Sequence, residues 1–204
     1  MVRQKKRDWG FIGAVILALI FSGCAKKFEP LLAKARKSYS QKNYVESIDA
    51  LNLALRSWSD SDGTEKKAQA SELLGKAYKE IGKYDKAMEN FADAIQLSTN
   101  TYESAYSLGN LYLMASLPKN AVRVFKEALK MKMDDPMALV GLGNAYFALG
   151  DLTQAKVAYQ RVIDTSPGVA TSLEFLQLID KKMREPKKEP KKTTKPLKKS
   201  RRKN

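Results

Sequence analysis

The sequence predicts an all-α fold, a solenoid made by stacking one repeated unit, and three observations carry that reading. Three columns of residues recur at a spacing of 34: Gly75, Gly109 and Gly143; Tyr78, Tyr112 and Tyr146; Ala87, Ala121 and Ala155. A fixed period of this size marks units that bury their apolar faces against one another rather than one at a time. Within each unit the run is Leu-Gly-x-x-Tyr, at 74–78, 108–112 and 142–146, and offsets of zero, one and four lie along one side of a helix. Residues 24–180 hold twenty basic and nineteen acidic residues, a nearly neutral body long enough to bury a core.

Residues 2–8 carry four positive charges and are followed by the uncharged run from Trp9 to Gly23, WGFIGAVILALIFSG. A charged stretch, an apolar stretch and small residues, in that order, read as a secretory signal peptide over 1–23. As a helix the apolar run would extend about 22 Å, short of the roughly 20 residues that a spanning helix needs. It closes on Phe21-Ser22-Gly23-Cys24. This resembles the lipobox of bacterial lipoproteins, with Phe21 where Leu is usual. The resemblance implies that Cys24 becomes the new N-terminus and is the lipidation site, its thiol accepting diacylglycerol before a further acyl chain is added. Two or more chains hold a membrane stably where one does not. The expected location is the bacterial cell envelope, lipid-anchored, with Ala25 favouring the periplasmic side of the outer membrane and the cell surface as the other possibility.

The body divides in chain order. A divergent first unit at 28–61 keeps Ala35, Tyr44, Ile48, Leu51 and Ala54 but has Ser38 and Ser47 in the Tyr and Ala columns. Six extra residues follow, around Ser59 to Thr64, which predicts a longer exit loop. Units at 68–101, 102–135 and 136–169 come next, each with an Ala-x-x-x-aromatic step: Ala87 to Phe91, Ala121 to Phe125, Ala155 to Tyr159. Gly82 and Gly150 suit helix C-caps in the inter-helix turns, and Pro118 suits the first turn of a helix. Together these features resemble the tetratricopeptide repeat, a helix–turn–helix unit. The resemblance implies four such repeats over 28–169 in a right-handed solenoid, with residues 170–183 as a capping helix. Asp60-x-Asp62 has the beginning of a calcium loop, but Glu65 comes too early to close one, so an acidic turn is expected.

The resemblance further implies that the first helix of each repeat lines a concave wall where an extended peptide binds. The residues after the Gly column form a row of Arg36, Lys76, Asn110 and Asn144, with Tyr39, Tyr106 and Phe147 nearby, and these make the expected peptide-binding groove. An amide there donates to and accepts from a peptide backbone; the competing reading has the two Asn capping the packing between repeats. The positions that clamp a C-terminal carboxylate in the family hold Glu103, Ser107, Met137 and Gly141, so no such clamp is expected.

The chain has no His and one Cys, which excludes imidazole-based catalysis, His-ligated metal, an internal disulfide and a thiolate cluster. No catalytic residue, metal site or cofactor is expected. Residues 181–204 carry thirteen basic against two acidic residues, with Pro186, Pro190 and Pro196 and no aromatic side chain. That composition predicts a disordered basic tail over 184–204. Its expected partners are anionic lipid or acidic cell-wall polymer; nucleic acid ranks last, because no ring is there to stack on bases. The functional expectation is a membrane-anchored scaffold binding a protein or peptide partner in an envelope complex. Its alternative is a surface-exposed, adhesin-like lipoprotein whose tail contacts acidic polymers or lipids.

Overall fold

The structure, a computed structural model, describes residues 27–168 and 170–184. The signal segment 1–23, Cys24 and the chain from residue 185 onward lie outside the described residues. Among those described there are nine α-helices and no strand: α1 Phe28–Ser40, α2 Tyr44–Ser57, α3 Thr64–Glu80, α4 Tyr84–Leu97, α5 Tyr102–Met114, α6 Pro118–Met131, α7 Pro136–Leu149, α8 Leu152–Thr165 and α9 Ala170–Arg184. They pair as antiparallel hairpins, α1 with α2 through α7 with α8, and α9 covers the open side of α8.

One turn geometry closes every hairpin. Lys42, Gly82, Ser116 and Gly150 take left-handed backbone angles, with φ of 62°, 73°, 57° and 80°. The next residue donates its N–H five residues back: Asn43 to Ser38, Lys83 to Tyr78, Leu117 to Tyr112 and Asp151 to Tyr146, at 2.9, 2.9, 2.8 and 3.0 Å. This satisfies carbonyls that the helix end leaves free and sends the chain back along itself. Gly adopts the angle without strain; Lys42 and Ser116 hold it against the crowding of a Cβ. Pro118 and Pro136 open α6 and α7, where a missing N–H loses nothing.

In the second, third and fourth hairpins a ring lies against the Gly column. A Cβ built on Gly75, Gly109 or Gly143 would stand 2.9 Å from Phe91, 2.7 Å from Phe125 or 2.8 Å from Tyr159. Phe125 is wedged from a second side by Gly141 of the following repeat, where a Cβ would come still closer. Gly141, in a position weighed for carboxylate clamping, is thus a packing residue. In the first hairpin the corresponding pair is Ala35 and Leu51, both fully buried, a larger residue opposite a smaller one. Ser47 takes the Ala column there and is also buried, its hydroxyl donating to the Ala35 carbonyl at 2.9 Å. Burying a side chain the size of Phe or Leu contributes about 1.5–3 kcal/mol.

Two boundaries differ from those expected. The spacer between the first two repeats is not all loop: Asp60–Asp62 forms a 3-10 turn and α3 begins at Thr64, ahead of residue 68. The Asp62 carboxylate accepts from the backbone N–H and the hydroxyl of Ser59, both at 2.9 Å, so this acid closes the turn. At the other end α9 runs through Arg184, one residue beyond the expected capping helix.

Successive first helices, α1, α3, α5 and α7, make closer contact with one another than successive second helices do. The array therefore curls with its first helices on the inside. That curvature defines the candidate site.

Candidate functional site

On the inner face of the first two repeats the polar side chains bind one another. Arg36 on α1 donates to Gln69 on α3 at 2.8 Å. Lys76 pairs with Glu72 one turn away at 2.7 Å, and the other Glu72 oxygen accepts from Ser104 of α5 at 2.9 Å. Arg36 thus engages a neutral amide, and Lys76 is paired with a carboxylate. Tyr39 is half-buried, edge-on to Tyr44 at 5.4 Å. Burial first, then the negative charge of Glu80, raises its phenol pKa.

The hydrogen-bonded ladder continues into the third repeat along the edge. The Tyr102 hydroxyl donates to Asp135, whose carboxylate also accepts from the N–H of Ala138 at 3.0 Å and so caps α7. Lys132 lies 3.8 Å above the Tyr102 ring. Desolvation, and then the Asp135 carboxylate, holds the Tyr102 phenol well above the usual tyrosine range. Tyr106 stacks on Tyr102 and meets Phe125 edge-on, both at 6.2 Å.

Asn110 and Asn144 occupy the same column and have different surroundings. The Asn144 side-chain oxygen accepts from the Tyr159 hydroxyl at 2.6 Å, so this amide ties α7 to α8. This bond gives the Asn144 oxygen a packing role inside its own repeat. Opposite Asn110 the ring is Phe125, which has no hydroxyl to offer. Asn110 is half-buried and makes no side-chain hydrogen bond among the described residues. Phe147 also departs from expectation: Phe175 of α9 meets it edge-on at 6.3 Å and Lys182 lies 4.4 Å over its ring, so the capping helix covers it.

The groove of the third and fourth repeats is consequently apolar around one open amide. At helical spacing from Asn110 stand Tyr106, Leu113 and Met114 on α5; on α7, Val140 takes the column of Tyr106 and Met137 that of Glu103. Met114 is 64% exposed and Met137 58%, leaving thioether side chains in solvent where a core would have covered them. Sequence reasoning singled out Tyr106 and Asn110, named Met137 only as a position without a carboxylate clamp, and passed over Leu113, Met114 and Val140. The same 34-residue spacing pairs Tyr106 with Val140 and Asn110 with Asn144, so reading every inner column in that way finds Val140, whereas Met114 pairs with Ala148 and leaves no such trace.

Tetratricopeptide-repeat family models match residues 37–100, 72–136 and 112–171. This chain belongs to the tetratricopeptide-repeat family. Among curated proteins, it is similar to the probable UDP-N-acetylglucosamine–peptide N-acetylglucosaminyltransferase SPINDLY of Hordeum vulgare, 31% identical over 101 residues. Those residues are 46% of this chain and only 11% of that protein, so the likeness is to its repeats and spans a small part of it. Among solved structures it superposes on the crystal structure of MamA with a TM-score of 0.68 and 22% identity, over 76% of this chain and 82% of that one. It also superposes on YrrB, described as a tetratricopeptide-repeat protein with an unusual peptide-binding site, with a TM-score of 0.66 and 22% identity, over 76% and 78% of the two chains. The fold of this tetratricopeptide-repeat chain is a right-handed α-solenoid.

Proposed function

We propose that this tetratricopeptide-repeat protein is a lipid-anchored scaffold of the bacterial envelope that holds an extended segment of a partner protein along the inner face of its third and fourth repeats. One observation carries the groove. Asn110 places an amide on an apolar inner face, half-buried and with no side-chain partner among the described residues. The amide keeps part of its surface open to solvent, so an incoming segment can reach it. The backbone of an extended segment offers the donor and the acceptor that an amide needs, and Met114 and Met137 adapt to the side chains that come with it. A peptide occupant agrees with the peptide-binding site described for YrrB.

The anchor rests on Ser22-Gly23-Cys24 behind an apolar run. Only residues 25–27 separate Cys24 from Phe28, a reach of roughly 14 Å when extended. Acylation of Cys24 would hold the first hairpin at the bilayer surface and leave the apolar groove at the far end of the array. The basic tail, with its thirteen positive charges from residue 181 onward, then serves as a second, salt-sensitive hold on anionic lipid or acidic polymer.

A photo-crosslinking residue in place of Asn110, in cells making the full chain, tests the groove. A discrete adduct is expected from position 110 and none from Thr99, which is exposed in the α4–α5 connection. Equal adducts from both positions, or none from 110, would contradict the reading. Protease treatment of intact cells separates the periplasmic scaffold, which survives, from a surface adhesin, which is shaved.

A further inference from the structure

The outer face of the array, built from the second helices, carries opposite charges on neighbouring repeats. α4 turns Asp85, Glu89 and Asp93 outward, one turn apart in a single stripe. α6 turns Lys119, Arg123, Lys126 and Lys130 outward in the same way, with the Lys126 ammonium 5.6 Å from the Tyr146 ring of α7. All seven side chains are exposed, and among the described residues only Lys130 enters an ion pair, with Glu127 of its own helix at 2.9 Å. The one opposing charge on the α4 stripe, Lys86, is drawn aside over the ring of Tyr78 at 5.4 Å. α4 and α6 each pack on α5 rather than on one another, so the two stripes stand as parallel ribs of opposite sign.

Such a face discriminates among partners. A uniformly charged surface, lipid or polymer, is attracted by one rib and repelled by the other. A surface with the same two ribs in reverse order is attracted by both, and a second copy turned about a two-fold axis between α4 and α6 presents that order. We propose that the outer face of α4 and α6 docks a second copy of this chain, the acidic stripe of each facing the basic stripe of the other in an antiparallel dimer. Exposed ion pairs are individually weak and a convex face offers limited area. The association is therefore salt-sensitive and gains most where copies are concentrated on a membrane. It leaves both inner grooves open, so the dimer would hold two partner segments.

Sedimentation equilibrium of the full chain in non-ionic detergent tests this, with circular dichroism to confirm that every variant is folded. The wild type is expected to dimerise at low salt and dissociate as salt rises. Reversing the acidic stripe (Asp85→Lys, Glu89→Lys, Asp93→Lys) or the basic stripe (Lys119→Glu, Arg123→Glu, Lys126→Glu) should each give monomers. Mixing the two variants should give a heterodimer, and combining both reversals in one chain should restore self-association. A wild type monomeric at low salt, association that survives either single reversal, or a folded combined variant that stays monomeric would overturn the proposal. Where a reversal fails to fold, the neutral set Asp85→Asn, Glu89→Gln and Asp93→Asn takes its place, with the same loss of dimer expected and retained dimerisation contradicting it.

Discussion

Gly75 and Phe91 meet across the second hairpin with no room for a methyl group, since a Cβ on Gly75 would stand 2.9 Å from the ring. The first hairpin solves the same contact with Ala35 and Leu51, both fully buried. Gly75→Ala is therefore expected to destabilise by about 1–3 kcal/mol through overpacking. Phe91→Leu alone is expected to cost a similar amount through the space it leaves. The double variant should cost less than the sum of the two, because each change relieves the other. Chemical denaturation of the three variants measures the coupling, and additive losses would mean that the pair does not touch as described.

The hairpin turns give a prediction of opposite sign. Lys42 and Ser116 hold left-handed angles of 62° and 57° that Gly82 and Gly150 adopt without a Cβ. Ser116→Gly and Lys42→Gly should each stabilise by about 1 kcal/mol, the cost of that strain in a residue with a side chain. Gly150→Ala should lose about as much. Melting temperatures decide it, and a fall with Ser116→Gly would show that the turn is held by the side chain.

Much of this was legible in the sequence, for a physical reason. Close packing repeats the same contact in every unit, so Gly75, Gly109 and Gly143 recur wherever a ring must lie against a helix, and the period reveals them. The turns were half legible: Gly82 and Gly150 announce the left-handed position, while Lys42 and Ser116 reach it only because hairpin closure demands it. The groove was the least legible part. Asn110 and Asn144 share a column and look alike, yet the partner of each is decided fifteen residues later, by Phe125 without a hydroxyl and Tyr159 with one. Phe147 reads as open from its own repeat because the ring that meets it edge-on, Phe175, comes from the capping helix.

Alkaline pH is expected to loosen the array most at the two tyrosines whose phenols are shifted furthest. Burial raises the phenol pKa of Tyr159, and burial with the Asp135 carboxylate raises that of Tyr102. A phenol whose folded pKa lies above its ordinary value of 10.0 favours the folded state less and less as pH rises past that value, because the unfolded chain ionises first. Stability from these groups is fully present below pH 10.0 and lost above it. Tyr159→Phe removes one of the two and should flatten the fall in melting temperature on the alkaline side. An unchanged profile would mean that Tyr159 titrates freely.

Lipidation of Cys24 is open to direct labelling. Cells fed a palmitate analogue should tag the wild type, and Cys24→Ala should lose both the label and retention in the membrane fraction. Equal labelling of the two proteins would place the lipid elsewhere.

The two asparagines, compared in one experiment, test the groove most directly. The partner segment captured at position 110 provides the ligand, and affinity and melting temperature are measured for Asn110→Ala and Asn144→Ala. A neutral hydrogen bond is worth about 1 kcal/mol net and more when its loss strands a buried group. Asn110→Ala should weaken binding about tenfold with melting unchanged. Asn144→Ala should lower stability by about 1–2 kcal/mol, by stranding the Tyr159 hydroxyl, and leave the affinity of the folded protein intact. A drop in stability with unchanged affinity for Asn110→Ala would contradict the groove.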